Sequence, residues 1–278
     1  MIIVTGSGGI VGTALMDLFK FHGIDALGIN REKIDLANCC SLSKYIHRPP
    51  NVIIHLAAAV PHSLKYPDNT SSAQKTKSID ATVFKASKEW NCRTIYASTC
   101  SLYDKSIHSI KFEDTFLPTK FKSPYMKAKY DGEQIFSSLS SYSILRLPAP
   151  LGPNLPDTVV AKRFLKDAIS SGRVKIWGSG YRQQNYVDVK DIADAFLKAS
   201  FSNYSGIFNI SAEQPTTMLE LAKLIVKEVP GSSYELTGIT DPLEMECANY
   251  SNAKAKERLG WVTSVKLSES IRTMLKNL

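Results

Sequence analysis

Five short apolar runs in the first half of the chain are separated by stretches with helical periodicity. The runs are "MIIVTG", "DALGIN", "NVIIHLAA", "RTIYAST" and "YSILRLP". Between the first two, residues 10–22 place Val11, Leu15 and Phe19 on one helical face, and Gly23 follows where helices commonly end. Strands that alternate with helices build a parallel sheet with helices on both faces. The sequence therefore predicts a doubly wound α/β fold.

The pattern of the chain changes after residue 150. "PAPLGPNLPDT" has four prolines in eleven residues, which interrupts regular structure and indicates a boundary. A helical stretch at about 158–171 follows, and "TTMLELAKLIVKEV" has the pattern of an amphipathic helix with a Thr-x-x-x-Glu start. We expect two domains. A sheet domain is predicted over 1–152 and about 185–210, and a smaller α+β domain over 153–184 and 211–278.

The composition is typical of a globular protein, with 44% hydrophobic and 22% charged residues in a chain of 278. The longest nearly uncharged apolar run, "NVIIHLAAAV", is too short to span a bilayer, and we expect neither a signal peptide nor a membrane anchor. The five cysteines form no C-x-x-C pair, and their odd number argues against a disulfide framework. These features predict a cytoplasmic protein without a metal site. The net charge of +8 is dispersed, which favours a solvated basic surface over a nucleic-acid site.

A glycine-rich loop, "TGSGGIVG", follows the first predicted strand and precedes the first predicted helix. Gly6, Gly9 and Gly12 are spaced by three. Because glycine lacks a side chain, a pyrophosphate can approach the backbone N–H groups at the positive end of the helix dipole. The alternative is a tight βα turn without a ligand. Its position at the start of a βαβ pattern favours a dinucleotide site on a Rossmann-type sheet.

A second motif, "YMKAKYDGE", places Tyr125 and Lys129 four positions apart. The T-G-x-x-G-x-x-G loop together with Y-x-x-x-K resembles the short-chain dehydrogenase/reductase superfamily. "NVIIHLAA", "ASTCSLYD", "LRLPAPLGP", "YVDVKDIADA", "IFNIS" and "SNAKAKERLGW" match, in order, landmarks of its extended branch, the NAD-dependent epimerase/dehydratase family. The resemblance covers nearly the whole chain.

The resemblance implies that Thr99, Tyr125 and Lys129 are catalytic. A free phenol has a pKa of about 10, so Tyr125 needs a nearby cation to exchange protons at neutral pH. Positions i and i+4 share a helix face, and Lys129 is therefore expected to lower the pKa of Tyr125. Thr99 is expected to hold the substrate oxygen at the end of the fifth strand. His55, in the family's fourth-strand motif, is expected to pack near the cofactor without reacting.

The resemblance also implies a set of cofactor-binding residues. They are Gly6, Ser7, Gly9, Ile10, Val11, Gly12, Asn30, Arg31, Asp35, Leu36, Leu56, Ala57, Ala58 and Lys129. NAD-specific members place Asp or Glu at the end of the second strand to bind the ribose hydroxyls, whereas this chain has Asn30 and Arg31 there. An arginine can pair with a 2′-phosphate. NADP(H) is therefore favoured, with NAD(H) as the alternative.

The predicted substrate-binding residues are Thr99, Cys100, Ser101, Tyr125, Arg182 and Gln184. Gln184 stands where the family usually has an arginine that reaches a nucleotide diphosphate, and Arg182 is a possible substitute. Ala149 and Leu151 replace the family's Asn and Tyr in "R-x-x-N-x-Y-G-P". Both departures weaken the inference of a nucleoside-diphosphate sugar, which remains the leading substrate class.

Three functions stay open. The family's dehydratases carry Asp-Glu after the catalytic Thr, whereas Cys100 and Ser101 follow here, so 4,6-dehydration is not expected. Keto-sugar reduction is favoured by the NADP(H) preference, with 4-epimerisation through a transient ketone as the alternative. A non-catalytic NAD(P)H-binding regulatory subunit is the alternative from another class. By analogy, a homodimer is expected through helices that carry residues 75–90 and 123–140.

Overall fold

The computed structural model describes residues 1–39, 41–61 and 68–278. These ranges contain twelve strands: β1 (Ile2–Thr5), β2 (Ala26–Ile29), β3 (Val52–His55), β4 (Arg93–Thr99), β5 (Tyr142–Leu147), β6 (Ala149–Leu151), β7 (Arg173–Ile176), β8 (Gln183–Gln184), β9 (Tyr186–Asp188), β10 (Gly206–Asn209), β11 (Thr216–Thr217) and β12 (Ser233–Leu236). They also contain eight α-helices: α1 (Ile10–Phe21), α2 (Thr70–Glu89), α3 (Pro124–Phe136), α4 (Val160–Ser171), α5 (Val189–Phe201), α6 (Met218–Glu228), α7 (Ala253–Leu259) and α8 (Leu267–Leu275). Two 3₁₀ turns lie at Leu42–Lys44 and Cys100–Leu102.

Six strands form one parallel sheet in the order β10-β5-β4-β3-β1-β2. Their side chains alternate between the two faces, so that Ile2 and Val4 pack with α1 and α5. Ile3 and Ile53 face the other side and pack with α2 and α3. Because helices cover both faces, the strands are apolar along nearly their whole length. The predicted doubly wound parallel sheet is confirmed.

The first helix ends one residue before its predicted limit, at Phe21. Leu15 and Phe19 are buried, as their spacing predicts. Gly23 has a φ of +63°, and its N–H donates to the carbonyl of Lys20. A side chain is strained at such a φ, which explains why glycine follows the helix.

The strand that ends at Thr99 is the fourth of the described sheet strands along the chain, and the strand that ends at His55 is the third. The resemblance had numbered them fifth and fourth. Between β2 and β3 the described residues form turns and the 3₁₀ turn Leu42–Lys44, with Leu42 and Ile46 buried. This connection is too short for a further strand and helix, which makes the expected numbering wrong.

A second apolar core lies among α4, α6, α8 and β7. Its buried members include Leu165, Leu221, Ile225 and Ile271. The helix predicted in "TTMLELAKLIVKEV" is present as α6, and a capping box opens it. The cap is Thr217, three residues before Glu220, and not the Thr-x-x-x-Glu start that the sequence suggested.

The proline-rich segment contains more regular structure than its composition predicts. Ala149–Leu151 forms β6, which pairs in parallel with β9 and places Ala149 opposite Tyr186. A proline can occupy a strand whose N–H is not needed by the ladder, and this ladder has only two strands. The prediction of interrupted structure is wrong at these three residues. The domain boundaries themselves stay a prediction.

A buried lysine fastens the loop after β4 to the segment before α7. Lys111 is 1% exposed, and its ammonium donates to the carbonyl oxygens of Ile107 (2.6 Å), Ser109 (3.3 Å) and Cys247 (3.2 Å). These carbonyls replace the water that burial removes. Burial still lowers the pKa of Lys111. The contacts hold in place the loop that follows Thr99.

No described helix has both the length and the apolar character needed to cross a membrane. Within the same ranges, no group of three His, Cys, Asp or Glu side chains is placed to hold a metal ion. Cys39, Cys92, Cys100 and Cys247 are free, and Cys40 lies outside the described residues.

Candidate active site

The glycine-rich loop lies between β1 and α1, at the carboxyl edge of the sheet. Gly6 has a φ of +70°, and a Cβ there would lie 2.8 Å from the backbone nitrogen of Ala57. A Cβ on Gly12 would lie 2.2 Å from the carbonyl oxygen of Gly6. Both neighbours are backbone atoms that cannot move aside. The loop therefore needs glycine at both positions, and it presents backbone where a side chain would otherwise stand.

The N-terminus of α1 is open to an anionic ligand. Gly9 is its N-cap residue in an extended conformation, and no side chain caps the first N–H groups. Ser7, Ile10 and Val11 are half-buried along the same loop. The uncapped N–H groups and the absent side chains fit a dinucleotide pyrophosphate at the place that the sequence predicts.

No carboxylate at the end of β2 is free to face the glycine-rich loop. Asn30 is half-buried, its Oδ1 accepts from the N–H of Lys33 at 3.1 Å, and its Cβ lies 3.6 Å from where a Gly8 Cβ would stand. Asp35 accepts hydrogen bonds within its own turn, and Leu36 is buried in the adjoining core. Arg31 is exposed, and no described residue pairs with its guanidinium.

The end of β3 passes close to the glycine loop. Leu56, Ala57 and Ala58 are half-buried, and the N–H of Ala57 donates to Oγ1 of Thr5 at 3.3 Å. Small residues allow the backbone to approach Gly6 at this point. The structure therefore brings these three predicted cofactor residues to the same edge as the loop.

Helix α3 begins with a well-defined cap that fixes the position of Tyr125. Ser123 accepts from the N–H of Met126 at 3.1 Å, and Pro124 occupies the first helical position. The N–H of Tyr125 donates to Oδ1 of Asp68 at 2.9 Å. Tyr125 is half-buried, and Lys129, one turn further, is only 3% exposed.

Thr99 ends β4 at the same edge of the sheet. Its Oγ1 accepts from the N–H of Ser101 at 3.1 Å, which leaves the hydroxyl proton for another acceptor. Helix α3 packs on β4, and the ring of Phe136 stacks on that of Tyr96 with centroids 4.7 Å apart. These contacts pack α3 against β4, and the juxtaposition of Thr99 with Tyr125 and Lys129 stays a prediction.

The expected effect of Lys129 on Tyr125 is wrong for the chain alone. Burial, followed by the negative charges of Asp80 and Asp68, raises the pKa of Tyr125. Burial lowers the pKa of Lys129, whose Nζ lies 4.0 Å from the centroid of the Tyr96 ring. Tyr125 is therefore a neutral phenol at neutral pH in the protein by itself.

Cys100 and Ser101 form the 3₁₀ turn after Thr99. Cys100 is 2% exposed, and its thiol donates to the carbonyl of Arg146 at 3.3 Å. Burial raises the pKa of this thiol. Its side chain is therefore turned into the protein, so of the two predicted substrate contacts only Ser101, which is half-buried, offers a side chain.

A buried polar network behind the predicted site was missed by the sequence reasoning. Asp80 of α2 is 1% exposed; its Oδ1 lies 3.0 Å from Nε2 of His55, and its Oδ2 accepts from the Tyr96 hydroxyl at 2.9 Å. Nδ1 of His55 lies 2.7 Å from Oγ1 of Thr5. Burial lowers the pKa of His55, so the imidazole is neutral. His55 is thus held inside the protein by two hydrogen bonds, and its expected non-reacting role stays a prediction.

A second buried group joins α3 to β5. Glu133 and Arg146 form a bidentate pair, with Nε to Oε1 at 2.9 Å and Nη2 to Oε2 at 2.7 Å. Ser98 donates to Oε1 of Glu133, and Arg146 donates to the hydroxyl of Tyr103 at 2.7 Å. Arg146 is 2% exposed and Glu133 1% exposed. This pair fixes α3, and with it Tyr125 and Lys129, relative to the sheet.

The two predicted substrate residues in the second half of the chain differ in their surroundings. Arg182 pairs with Asp241 at 3.2 Å, while its Nε is buried without a partner among the described residues. The hydroxyl of Tyr186 is also buried without one. Gln184 is half-buried in β8, opposite Thr216 of β11. Asp241 partly neutralises the arginine that was expected to replace the family's diphosphate contact.

Comparison with known proteins supports the family that the motifs suggest. A profile of the NAD dependent epimerase/dehydratase family matches residues 2–211. UDP-glucuronic acid decarboxylase 2 of Arabidopsis thaliana is 22% identical over 302 residues, which cover 99% of this chain and 67% of that protein. UDP-glucose 4-epimerase of Mycolicibacterium smegmatis is 28% identical over 305 residues, which cover 97% of this chain and 95% of the epimerase.

Solved structures show the same fold. UDP-glucose 4-epimerase of Thermus thermophilus, in complex with NAD, superposes with a TM-score of 0.83 at 21% identity, covering 99% of this chain and 98% of that one. UDP-glucuronic acid 4-epimerase of Bacillus cereus, in complex with UDP-glucuronic acid and NAD, has a TM-score of 0.83 at 19% identity, with 99% and 98% covered. With the glycine loop, the parallel sheet and a family match over most of its length, the chain belongs to the NAD dependent epimerase/dehydratase family of nucleotide-sugar enzymes.

Proposed function

We propose that this chain transfers a hydride between a nicotinamide dinucleotide and a carbinol or keto carbon of a nucleoside-diphosphate sugar. The observation that carries the proposal is the arrangement at the carboxyl edge of the sheet. Thr99 ends β4, and α3 packs on β4 with Tyr125 and Lys129 in its first two turns. The uncapped N-terminus of α1 lies on the same edge. Open α/β sheets bind their ligands at this edge.

Each of the three side chains has a distinct task in this proposal. The dinucleotide, when bound, supplies or accepts the hydride. The hydroxyl of Thr99 donates a hydrogen bond to the reacting oxygen of the sugar. Tyr125 gives the proton to that oxygen in reduction and takes it in oxidation. The ammonium of Lys129 supplies positive charge beside the proton exchange and the dinucleotide ribose.

The protonated state of Tyr125 is compatible with reduction of a ketone. Burial and the carboxylates of Asp80 and Asp68 raise the pKa of Tyr125, which keeps it a phenol at neutral pH. A phenol is a proton donor, and a carbonyl that receives a hydride needs a proton on its oxygen. We therefore propose keto-sugar reduction as the first candidate reaction, with proton donation by Tyr125.

A 4-epimerase is the second candidate, because the Mycolicibacterium smegmatis UDP-glucose 4-epimerase matches this chain over nearly the full length of both. An epimerase withdraws a hydride and returns it to the other face, so it keeps its dinucleotide bound. A reductase exchanges its dinucleotide in every turnover. Retention of the cofactor therefore distinguishes the two reactions.

The substrate class follows from the relatives and from the second half of the chain. The decarboxylases and epimerases among the relatives act on UDP-sugars by name. Arg182 and Gln184 are half-buried, so both side chains keep surface that a polar ligand can contact. We propose a nucleoside-diphosphate sugar that lies along β8 and reaches Thr99.

Cofactor retention and cofactor preference are measured in one experiment. The purified protein is denatured, any released dinucleotide is identified, and the empty protein is titrated with NADPH and NADH. Empty protein that prefers NADPH tenfold, or about 1.4 kcal/mol, supports the reductase. Stoichiometric NAD carried through purification overturns it and identifies the 4-epimerase as the reaction to assay with UDP-sugars.

Replacing Arg31 by Ala is expected to weaken NADPH binding about tenfold and leave NADH binding nearly unchanged, because only NADPH carries the 2′-phosphate. The affinities are measured by fluorescence titration of the empty protein. Arg48→Ala is the matched control, since Arg48 is also an exposed arginine and its pair with Asp25 lies outside the loop. Equal losses for both dinucleotides would contradict a role in 2′-phosphate recognition.

The homodimer stays a prediction. None of the large apolar side chains exposed on the described surface belongs to α2 or α3, the helices expected to form the interface. An interface there would be built from polar contacts, and light scattering across a range of salt concentrations measures whether it forms. A monomer at all concentrations would contradict the analogy.

A further inference from the structure

Buried side chains of opposite charge surround Lys129. Four charged side chains lie buried where α2 and α3 meet β4 and β5: Asp80, Lys129, Glu133 and Arg146. Glu133 and Arg146 neutralise each other through two short hydrogen bonds. One carboxylate, Asp80, and one ammonium, Lys129, remain. No ion pair or hydrogen bond joins the Lys129 ammonium to a described residue. Another kind of contact therefore has to stabilise its charge.

Tyr96 lies between the remaining two charges. Its hydroxyl donates to Oδ2 of Asp80 at 2.9 Å, and its ring lies under the Lys129 ammonium, with Nζ 4.0 Å from the centroid. A phenol that donates to a carboxylate carries more electron density in its ring, and this strengthens the attraction for a cation above the ring. The Tyr96 ring therefore transmits the charge of Asp80 to Lys129.

The hydrogen bonds around Asp80 all run toward its carboxylate. His55 is neutral, and opposite a carboxylate, which can only accept, its Nε2–H donates to Oδ1 of Asp80 while its Nδ1 accepts from the Thr5 hydroxyl. The Thr5 oxygen in turn accepts from the N–H of Ala57. In this arrangement the Asp80 carboxylate accepts from two donors, the Nε2–H of His55 and the Tyr96 hydroxyl.

Gly132 shows how closely α3 approaches this network. A Cβ at Gly132 would lie 2.2 Å from the Tyr96 hydroxyl oxygen and 2.7 Å from Oδ2 of Asp80. Gly132 is three residues after Lys129, on the same face of α3. The close packing therefore places the Lys129 side of the helix directly against Asp80 and Tyr96.

We propose that Asp80 is a positioning residue for Lys129, and that its carboxylate, acting through the Tyr96 ring, keeps the buried ammonium charged and directed at the reaction site. The proposal deepens the proposed function and rests on it for the role of Lys129. Five titratable groups face Lys129 from the elements around it: His55 from β3, Asp80 from α2, Tyr96 from β4, and Tyr125 and Glu133 from α3. His55, Tyr96 and Tyr125 are neutral, and Glu133 is paired with Arg146. Asp80 is the uncompensated anion of this set.

The sign of the expected pH effect follows from these charges. Burial lowers the pKa of Lys129, and the negative charge of Asp80 opposes that shift. Removing the charge lowers the pKa of Lys129 further, so the ammonium loses its proton at a lower pH. The alkaline limb of activity is therefore expected to move downward in Asp80→Asn.

The test measures the titration of Lys129 and the pH profile of turnover in the same variants. The 13C-labelled ε-carbon of Lys129, assigned by its loss in Lys129→Met, is followed by NMR against pH. We expect a charged Lys129 at neutral pH in the wild type, a downward shift in Asp80→Asn, and a smaller one in Tyr96→Phe, which keeps the ring and loses the hydroxyl. Asp131→Asn is the matched control, because it removes one carboxylate from α3 on the solvent side, where Asp131 pairs with Lys77 and Lys127.

The outcomes separate this inference from the proposed function. An Asp80→Asn protein that is folded and has an unchanged Lys129 titration overturns the inference. If that variant does not fold, a neutral Lys129 in the wild type at pH 7 overturns it as well. If no nucleotide sugar is turned over, the proposed function fails, while the NMR titration still decides the inference. A merely structural Asp80 would change stability in Asp80→Asn without moving the Lys129 titration.

Discussion

Replacing Tyr125 by Phe is expected to reduce turnover of the nucleotide sugar by about 100-fold or more, because proton transfer by a positioned side chain contributes that much. The substitution removes one hydroxyl and keeps the ring. Dinucleotide binding is expected to remain close to that of the wild type, since the glycine loop and the N-terminus of α1 are untouched. Steady-state kinetics and a dinucleotide titration on the same preparation separate the two effects.

Tyr130→Phe is the matched control for this prediction. Tyr130 lies on the same helix and packs against Phe121, with ring centroids 5.0 Å apart. Its hydroxyl lies outside the predicted site, so we expect turnover close to that of the wild type. A Tyr125→Phe protein that keeps full function in the cell, or most of its turnover in the assay, would favour the non-catalytic NAD(P)H-binding subunit.

Replacing Arg146 by Met is expected to lower the free energy of unfolding by about 3–5 kcal/mol, because it leaves the Glu133 carboxylate buried and unpaired. The guanidinium makes two of the three hydrogen bonds to that carboxylate, the third coming from Ser98, and it donates to the hydroxyl of Tyr103. Urea denaturation followed by circular dichroism measures the change. In the double variant Glu133→Gln/Arg146→Met the loss is expected to be smaller, since no charge is left without a partner.

Lys127→Met provides the comparison at the surface of the same helix. Lys127 pairs with Asp131 four residues later, and its side chain is 54% exposed. Exposed pairs contribute roughly 0–1 kcal/mol, so we expect a change within that range. If Arg146→Met destabilises no more than Lys127→Met, the buried pair does not anchor α3, and the positions of Tyr125 and Lys129 depend on other contacts.

The fold was accessible from the sequence because its signals are local. Apolar runs of six to eight residues mark β1 to β5, and the glycine spacing marks the turn into α1. Where composition and observed secondary structure disagree, contacts with distant segments determine the structure. Pro150 is part of β6 because the neighbouring strand β9 offers a ladder that composition does not reveal. The resemblance numbered the strands that end at His55 and Thr99 as fourth and fifth, although they are the third and fourth described sheet strands along the chain.

The site was predictable to the extent that its motifs are contiguous. The glycine loop and Tyr125 with Lys129 each lie in one short segment, whereas the ion pair of Arg182 joins residues 59 positions apart. The sequence does contain a signal that Asp80 is buried with a partner. Asp80 stands at a buried position of α2, with Ile79 and Val83 beside it, and an acidic residue on an apolar helix face indicates a buried partner. The pKa of Tyr125 could not be predicted, because it depends on carboxylates from distant segments.

The order in which strands enter the sheet has a consequence for synthesis on the ribosome. β10 is the edge neighbour of β5, yet some sixty residues, including α4 and α5, are made between them. Until residues 206–209 emerge, β5 is an open edge with unpaired backbone groups, which is the kind of strand that pairs with other chains. A nascent chain whose residues 206–209 are still inside the ribosome is therefore the form of this protein most in need of a chaperone, whereas one whose β10 has emerged can complete its sheet.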